Sequence, residues 1–174
     1  MERIVQGVGQ NSAEEYDRIY FERAKRPDND QDIRRWKRLV KPFSGGKIID
    51  LGCLDSSIPN LLRKRLQYFK FEYLGVDIAE KAIENMQVIF PYENIEFKVM
   101  DIYETGLPNG AYDYAVLGEV IEHMERPGDV IKETFRILKK GGTLALSTPL
   151  NEAIEPGAVD KDRHLWSFEI GDII

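Results

Sequence analysis

Cysteine and long apolar runs are scarce in this sequence, and each scarcity excludes a class of protein. A single Cys in 174 residues, Cys53, excludes a disulfide framework. No apolar run approaches the roughly 18 residues that a membrane-spanning helix needs. The first residues, MERIVQGVGQNSAEEY, also lack the apolar core of a signal peptide. We therefore expect a cytoplasmic protein without a membrane span.

The composition is typical of a water-soluble globular protein. Hydrophobic residues make up 43% of the chain, enough for a core that needs neither disulfides nor metal for stability. The 24 Lys and Arg face 30 Asp and Glu, which gives a formal net charge of −6. A negative chain repels phosphate backbones at long range, and this argues against nucleic acid as a partner. One domain is expected over residues 1–174.

The first predicted helix covers residues 12–26. Ser12 followed by Glu14 and Glu15 is a capping pattern, and Pro27 ends the segment. Aromatic residues at helical spacing either pack in the core or form a lid over a site, and the sequence leaves both options open for Tyr16, Tyr20 and Phe21.

The second predicted helix covers residues 30–40. It has apolar residues on one face and a basic opposite face that carries Arg34, Arg35, Lys37 and Arg38. We interpret the basic face as solvated rather than as a nucleic-acid surface. Together the two helices form an N-terminal region, residues 1–44, ahead of the core.

From residue 47 onward, short apolar runs alternate with amphipathic segments, which is typical of βα units and a parallel sheet. Strands are predicted at 47–51, 73–76, 95–99, 112–117 and 142–147, and helices at 57–67, 79–90 and 127–138. Gly141 and Gly142 are interpreted as a helix stop. The predicted fold class is α/β, a Rossmann-like, doubly wound, mostly parallel sheet in three α/β/α layers, possibly truncated after the fifth strand. The core spans residues 45–149, and residues 150–174 form a substrate-side loop.

Acidic residues follow three of the predicted strands, where the carboxyl ends of parallel strands form a ligand crevice. Asp50 precedes the turn at Gly52, whose missing Cβ permits a sharp turn and close approach of a ligand. Asp77 ends the next strand, and a carboxylate there can accept both hydroxyls of a ribose, although capping the next helix would also explain it. Asp101 and the apolar Ile102 suit the amino group and ring face of an adenine.

These residues lie in motifs that resemble the class I S-adenosylmethionine-dependent methyltransferases. The motifs are DLGC at Asp50–Cys53, VD at Val76–Asp77, MDI at Met100–Ile102, YDYAVLGEVIEHM at Tyr112–Met124 and ILKKGGTLALSTP at Ile137–Pro149. The EVIEH portion is similar to that of ubiquinone-biosynthesis O-methyltransferases.

The resemblance implies S-adenosylmethionine as cofactor. It places Asp50, Gly52 and Cys53 at the methionine end, Asp77 and Ile78 at the ribose, and Asp101 and Ile102 at the adenine. The sequence departs from the family pattern where Leu54 and Ser56 replace glycines.

Glu119, Glu122 and His123 are spaced i, i+3 and i+4, so a helix starting at Glu119 would gather them on one face. The resemblance places Glu119 on the methyl and substrate side, and we predict His123 and Glu119 as catalytic residues. No metal is favoured. The optional ligand set is Glu119, Glu122, His123 and His164, which suits a divalent ion in some relatives.

The predicted function is methyl transfer to a hydroxyl or amine of a small-molecule acceptor. Alternatives are a metal-assisted 2′-O-methyltransferase of RNA 3′ ends and a non-catalytic binding protein with a degenerate cofactor loop. A nicotinamide-dependent dehydrogenase is disfavoured because the glycine loop lacks G-x-G-x-x-G. An exposed fifth strand would also invite a homodimer.

Overall fold

A parallel five-stranded sheet organises the chain in the computed structural model, which describes residues 2–3, 12–23, 30–54, 56–150 and 164–169. The elements in chain order are β1 (Glu2–Arg3), α1 (Ala13–Arg23), α2 (Asp30–Leu39), β2 (Gly46–Leu51), α3 (Ile58–Arg65), β3 (Phe71–Asp77), α4 (Glu80–Ile89), β4 (Ile95–Val99), β5 (Tyr112–Gly118), a 3₁₀ turn (Ile121–His123), α5 (Pro127–Ile137), β6 (Leu138–Ser147) and β7 (Trp166–Ser167). Residues 24–26 of the first predicted helix and most of the predicted 150–174 loop lie outside the described residues.

The strand order β4-β3-β2-β5-β6 confirms the predicted α/β class. Each neighbouring pair is parallel, and the central strand β2 has Ile49 opposite both Leu74 and Ala115. Because β2 pairs on both sides, the chain reverses its direction of travel across the sheet there, and crevices form at such a switch point.

The two faces of the sheet carry separate apolar clusters. Ile48 points to the face covered by α2, α3 and α4, while its neighbour Ile49 points to the face covered by α5. Both side chains are fully buried. The alternation follows from the two-residue period of a strand, and it gives the predicted three layers.

Helix α2 seals the first face beside β5. Trp36, 5% exposed, lies so close to Gly118 that a Cβ on that glycine would stand 2.6 Å from the indole ring. The predicted apolar face of α2 is therefore packed against the sheet, and the glycine makes room for the indole.

Helix α1 starts as its sequence indicates. The Glu15 backbone N–H donates to Ser12 Oγ at 3.3 Å, a capping bond. Asp17 Oδ1 in turn accepts the Lys81 backbone N–H at 2.9 Å, which fastens α1 to the start of α4. Because α4 begins at the carboxyl edge of the sheet, this bond places α1 at that edge. Among the described residues, no helix is long and apolar enough to cross a membrane.

The start of β6 differs from the prediction. Helix α5 ends at Ile137 and β6 begins at Leu138, so the glycine pair at 141–142 lies inside the strand and is not the helix stop. The register jumps from Tyr112↔Leu138 to Tyr114↔Thr143, and Gly141 has φ +81° in between. An irregularity with a left-handed glycine lets the strand continue past the extra residues.

A short antiparallel pair lies apart from the main sheet. Strand β1 pairs with β7 through Glu2↔Ser167 and Arg3↔Trp166, although neither strand was predicted. Two-residue strands carry too little periodicity to be recognised in sequence. Within the described residues, β6 is an edge of the main sheet, as the homodimer prediction requires.

Candidate active site

The turn after β2 is held by backbone hydrogen bonds to β3. The N–H groups of Gly52 and Cys53 donate to Val76 O at 2.8 and 3.0 Å. Gly52 has φ +77°, and a Cβ there would stand 2.7 Å from Val120 Cγ2. Position 52 therefore needs glycine for two reasons, the left-handed backbone and the lack of space beside Val120. These two reasons explain the glycine without the close ligand approach that the sequence suggested.

Asp77 joins the turn to the start of α4. Its Oδ2 accepts the Leu54 N–H at 2.8 Å and its Oδ1 accepts the Ala79 N–H at 2.9 Å, with 6% of the residue exposed. Leu54 has φ +37°, a backbone region that favours glycine, at a position where the family pattern has glycine. The two oxygens of Asp77 therefore hold the turn after β2 and the start of α4 together, and its ribose role stays a prediction.

Asp101 lies next to Asp77, because the Met100 N–H donates to Asp77 O at 2.9 Å. Asp101 is exposed, and its Oδ1 accepts the Tyr103 N–H at 2.8 Å. Ile102 is 6% exposed and Ile78 is half-buried. Ile102 packs in the core cluster on the α5 side of the sheet, and the adenine role of Asp101 and Ile102 stays a prediction.

Asp50 and Cys53 are placed deeper than predicted. Asp50 is 2% exposed and its Oδ2 accepts the Tyr73 hydroxyl at 2.7 Å. Burial raises the pKa of Asp50 to about 6, against the lowering effect of the bonds from Tyr73 and Ser56. The Cys53 side chain is buried in the α2–α4 cluster, near Gly75. Their side chains therefore pack beneath the turn, on its core side. The cofactor roles that the resemblance implies for both residues stay predictions.

Glu119 does not begin a helix, and this corrects the predicted alignment of three ligands. Its φ is +58°, and the helical turn that follows covers only Ile121–His123. The Glu119 N–H donates to Ser147 O at 2.9 Å, and Oε2 lies 3.4 Å from Arg35 Nη1. The left-handed residue rotates the Glu119 side chain toward α2, away from Glu122 and His123.

Glu122, His123 and His164 do come together. One ligand atom of each lies within 4.8 Å of the other two, and the imidazole centroids are 4.9 Å apart. Glu122 is fully buried and His164 is 7% exposed. The Leu165 N–H donates to Glu122 O at 2.6 Å, which explains how residue 164 reaches the 3₁₀ turn.

The carboxyl of Glu122 is only half satisfied. Oε2 accepts the Thr148 hydroxyl at 3.0 Å, while buried Oε1 has no hydrogen-bond partner among the described residues. Burial raises the pKa of Glu122 to about 7, and the Glu119 charge acts in the same direction. One carboxylate oxygen and two imidazole nitrogens fit a divalent ion such as Zn²⁺ or Mn²⁺. Of the optional metal ligands, Glu119 is the one that lies outside this cluster.

Helix α1 covers the site from above. Tyr20, 7% exposed, packs with Ala79, Ala82 and the half-buried Leu54, and the Tyr16 ring lies 6.4 Å from that of His123. The two tyrosines are therefore packed at the crevice, and their role as a lid stays a prediction. The side chain of Phe21 lies outside the described residues.

Arg35 and Thr148 were not predicted at the site. Arg35 was assigned to the solvated face of α2, yet it is half-buried against Trp36 and paired with Asp32 and Glu119. Its Nε, Trp36 Nε1 and Ser147 Oγ are buried without hydrogen-bond partners among the described residues. Gly118 and Ser147 are paired residues of β5 and β6, so these donors lie around one strand end. Unfilled donors of this kind fit a ligand with a carboxylate, such as the methionine part of S-adenosylmethionine.

A family model described as "Methyltransferase domain" matches residues 49–146. The chain belongs to this methyltransferase family. The match confirms the predicted resemblance, and the family implies S-adenosylmethionine as cofactor. The matched range covers the turn at Gly52, Asp77, Asp101 and the Glu119–His123 segment.

Curated relatives are about 25% identical to the chain over the aligned residues. A ubiquinone biosynthesis O-methyltransferase from Thiobacillus denitrificans is 25% identical over 66% of this chain and 49% of its own length. A ubiquinone/menaquinone biosynthesis C-methyltransferase from Desulfotalea psychrophila is 23% identical over 63% of this chain and 45% of its own length. The chain thus spans about half the length of the curated relatives it matches.

Solved structures agree on the fold. The cyclase SpnF aligns with a TM-score of 0.67 at 17% identity, over 86% of this chain and 64% of SpnF. A SAM-dependent methyltransferase from Methanosarcina mazei aligns with a TM-score of 0.52 at 24% identity, over 60% of this chain and 52% of its own. Because one neighbour is titled a cyclase, the fold alone does not determine the reaction.

Proposed function

We propose that this methyltransferase-family chain transfers a methyl group from S-adenosylmethionine to a hydroxyl or amine of a small-molecule acceptor. The observation that carries the proposal is the juxtaposition at the carboxyl edge of the sheet. The turn at Gly52, pinned by Asp77, lies beside the cluster of Glu122, His123 and His164. Val120 links them, because it packs on Gly52 and directly precedes the 3₁₀ turn.

Five residues would hold the cofactor along the crevice. Asp77 with Ile78 would bind the ribose, Asp101 with Ile102 the adenine, and the turn at Gly52 the methionine end. S-adenosylmethionine, when bound, supplies a sulfonium methyl group to a nucleophile that approaches in line. The protein's task is then to position the acceptor and exclude water. Helix α1 supports this role, since Tyr16 and Tyr20 cover the crevice.

His123 is the proposed general base for a hydroxyl acceptor. It is half-buried and exposes its ring between Tyr16 and His164. The adjoining Glu122 carboxyl and the His164 ring would hold the His123 imidazole in position for the acceptor. For an amine acceptor, Glu119 would accept a hydrogen bond, with its carboxylate oriented by Arg35.

The test separates cofactor binding from chemistry. Formation of S-adenosylhomocysteine is measured with panels of phenols, catechols and primary amines, for the wild type and for His123→Ala. We expect turnover with at least one acceptor, and a loss of roughly 10²–10⁴ in kcat in the variant with S-adenosylhomocysteine affinity unchanged. Unchanged kcat in His123→Ala would contradict the role as base.

A metal-assisted 2′-O-methyltransferase of RNA 3′ ends is the second candidate. The unpartnered Oε1 of Glu122 beside two histidines favours it. Glu122, His123 and His164 would hold the ion, which would lower the pKa of a hydroxyl bound to it. The net charge of −6 and the position of Glu119 count against it. Turnover that survives chelation and dialysis would remove this candidate.

A non-catalytic binding protein is a third candidate, because Leu54 and Ser56 replace glycines of the family pattern. Asp77→Ala would then leave the biological activity intact, and loss of that activity in the variant would remove this candidate. The free edge of β6 would pair two copies as a homodimer. Light scattering at increasing protein concentration checks the dimer, and a constant monomer mass would contradict it.

A further inference from the structure

The edge of the sheet opposite the candidate active site combines exposed apolar side chains with unpaired basic ones. Strands β2, β3 and β4 begin at this amino edge, and helices α2, α3 and α4 end there. The name "amino-edge surface" is used for the helix ends and the turns at residues 41–45, 63–70 and 88–94. None of these residues belongs to the proposed cofactor or acceptor site, so the inference is independent of the proposed reaction.

The apolar part of the amino-edge surface is unusually exposed. Five large hydrophobic side chains are 38–87% exposed, namely Tyr68, Phe69, Val88, Ile89 and Tyr92. They are five of the eight exposed large hydrophobics among the described residues. Such a concentration marks a surface that binds something apolar, because isolated exposed hydrophobics are common and clusters are not.

Contacts join the helix ends into one surface. The Arg63 guanidinium lies 3.6 Å from the centre of the Tyr92 ring, which connects α3 to the turn after α4. Arg65 Nη1 donates to Val40 O, which connects α3 to the end of α2. The Gly46 N–H donates to Lys70 O at 3.0 Å, so the turn before β2 also lies beside the turn before β3.

The charge of this region is opposite to that of the whole chain. The amino-edge surface contains five Lys and Arg and one acid, Glu93, whereas the whole chain has 24 Lys and Arg against 30 Asp and Glu. Among the described residues, the basic side chains of Lys41, Arg63, Lys64 and Lys70 form no ion pair. Exposed Glu93 lies within the surface, and the nearby acids Glu72, Glu96 and Asp113 are each paired with a lysine.

We propose that the amino-edge surface docks the protein on an anionic lipid bilayer. Aromatic and aliphatic side chains enter the headgroup boundary while surrounding Lys and Arg bind acidic headgroups. The net charge of −6 does not prevent this, since charges on the far side are screened over about 8 Å at physiological salt. The active-site crevice, at the opposite edge, would then face the water.

Single-stranded nucleic acid fits the same surface less well. Bases stack on aromatic rings, which Tyr68 and Phe69 provide. Val88 is 77% exposed and Ile89 is 52% exposed, and aliphatic side chains gain nothing from stacking but do gain from contact with acyl chains. The exposed Val88 and Ile89 therefore favour a bilayer over nucleic acid as the partner of this surface.

Vesicle flotation with the full chain tests the proposal. The probes are phosphatidylcholine vesicles with and without a minority of phosphatidylglycerol, at low and physiological ionic strength. The test variant is Lys64→Glu with Phe69→Ser, and the matched control is Lys132→Glu with Phe135→Ser on α5. The two phenylalanines are comparably exposed, at 58% and 62%, and both lysines are exposed. Thermal unfolding of each variant checks that the fold is retained.

The wild type and the control are expected to float with anionic vesicles and not with neutral ones, more strongly at low salt. The test variant should bind about tenfold more weakly or worse, because it loses one aromatic anchor and reverses one charge. Absence of flotation at low salt, or equal losses in both variants, would overturn the proposal. Binding of a single-stranded oligonucleotide that is lost only in the test variant, without vesicle binding, would reassign the surface to nucleic acid.

Discussion

Substitution of Gly52 by alanine tests how the turn after β2 is built. The backbone at this position has φ +77°, and the new Cβ would stand 2.7 Å from Val120 Cγ2. A left-handed conformation costs an L-residue about 1–2 kcal/mol, and overpacking a buried contact costs a further 1–3 kcal/mol or so. Alanine also reduces the conformational entropy of the unfolded chain, which offsets roughly 0.4–1 kcal/mol of this loss. We expect Gly52→Ala to lower the free energy of unfolding by about 3 kcal/mol.

Two other glycines separate the contributions. Gly106 has φ +67° with no atom within 4 Å of an added Cβ, so Gly106→Ala reports backbone strain alone, about 1 kcal/mol. Gly128 lies in α5 with no positive φ and the same open space, so Gly128→Ala should stabilise the protein by about 0.5–1 kcal/mol. Urea denaturation of all three variants gives the comparison.

A double-mutant cycle identifies Val120 as the partner. Val120→Ala removes the methyl groups nearest the new Cβ, so the double variant should be more stable than the sum of the single changes predicts, by about 1–2 kcal/mol. If Gly52→Ala costs no more than Gly106→Ala, or if the cycle shows no coupling, the Gly52–Val120 packing is wrong. Val120 would then not connect the turn at Gly52 to the histidine cluster.

Three further predictions concern charged groups. Burial raises the pKa of Asp50 from 3.8 to about 6, so the native state binds its proton more tightly than the unfolded state does. The stability relative to Asp50→Asn should therefore fall by about 3 kcal/mol as pH rises from about 3 to 7, measured by urea denaturation at each pH. A pH-independent difference would contradict the buried placement. Arg136 lowers the pKa of Glu133 to about 2, so the ion pair stabilises the folded protein above pH 4.5 and this stabilisation is lost as pH falls toward 2. Because the pair is partly exposed, we expect Glu133→Gln to cost about 1–2 kcal/mol at neutral pH. Equal acid denaturation midpoints for the wild type and the variant would refute this. Glu122→Gln should weaken the binding of Mn²⁺ or Zn²⁺ at least tenfold, measured by calorimetry. Glu119→Gln should leave metal affinity unchanged, because Glu119 lies outside the cluster. Equal losses in both variants would restore the four-ligand prediction.

The fold was largely predictable because its signals are periodic. The apolar runs at β2, β3, β4 and β5 lie within two residues of their predicted bounds, since buried parallel strands are nearly continuous apolar segments. The start of β6 was not predictable in this way. Gly141 and Gly142 resemble a helix stop, and only the tertiary pairing of Tyr112 with Leu138 reveals that the strand has already begun.

The site was predictable in its location but not in its orientation. Asp77 and Asp101 follow strands, so topology alone brings them to one edge. The backbone of Glu119 is different, because helical spacing implied a shared face and the left-handed φ abolishes it. Positive φ at a non-glycine residue has no strong sequence signature. Arg35 reaches the site through tertiary contacts, which local patterns do not encode, whereas His164 was already named among the optional ligands.

The central claim, that the carboxyl-edge crevice binds the cofactor, is tested most directly by calorimetric titration with S-adenosylhomocysteine. Asp101→Ala and Asp77→Ala are compared with Asp113→Ala, a control carboxylate that pairs with Lys139 at the amino end of β5. Asp101 is exposed, so its loss should spare the fold. We expect micromolar binding by the wild type and the control, and binding at least tenfold weaker in both crevice variants. Absence of binding by the wild type, or equal affinity in all the variants, would contradict it.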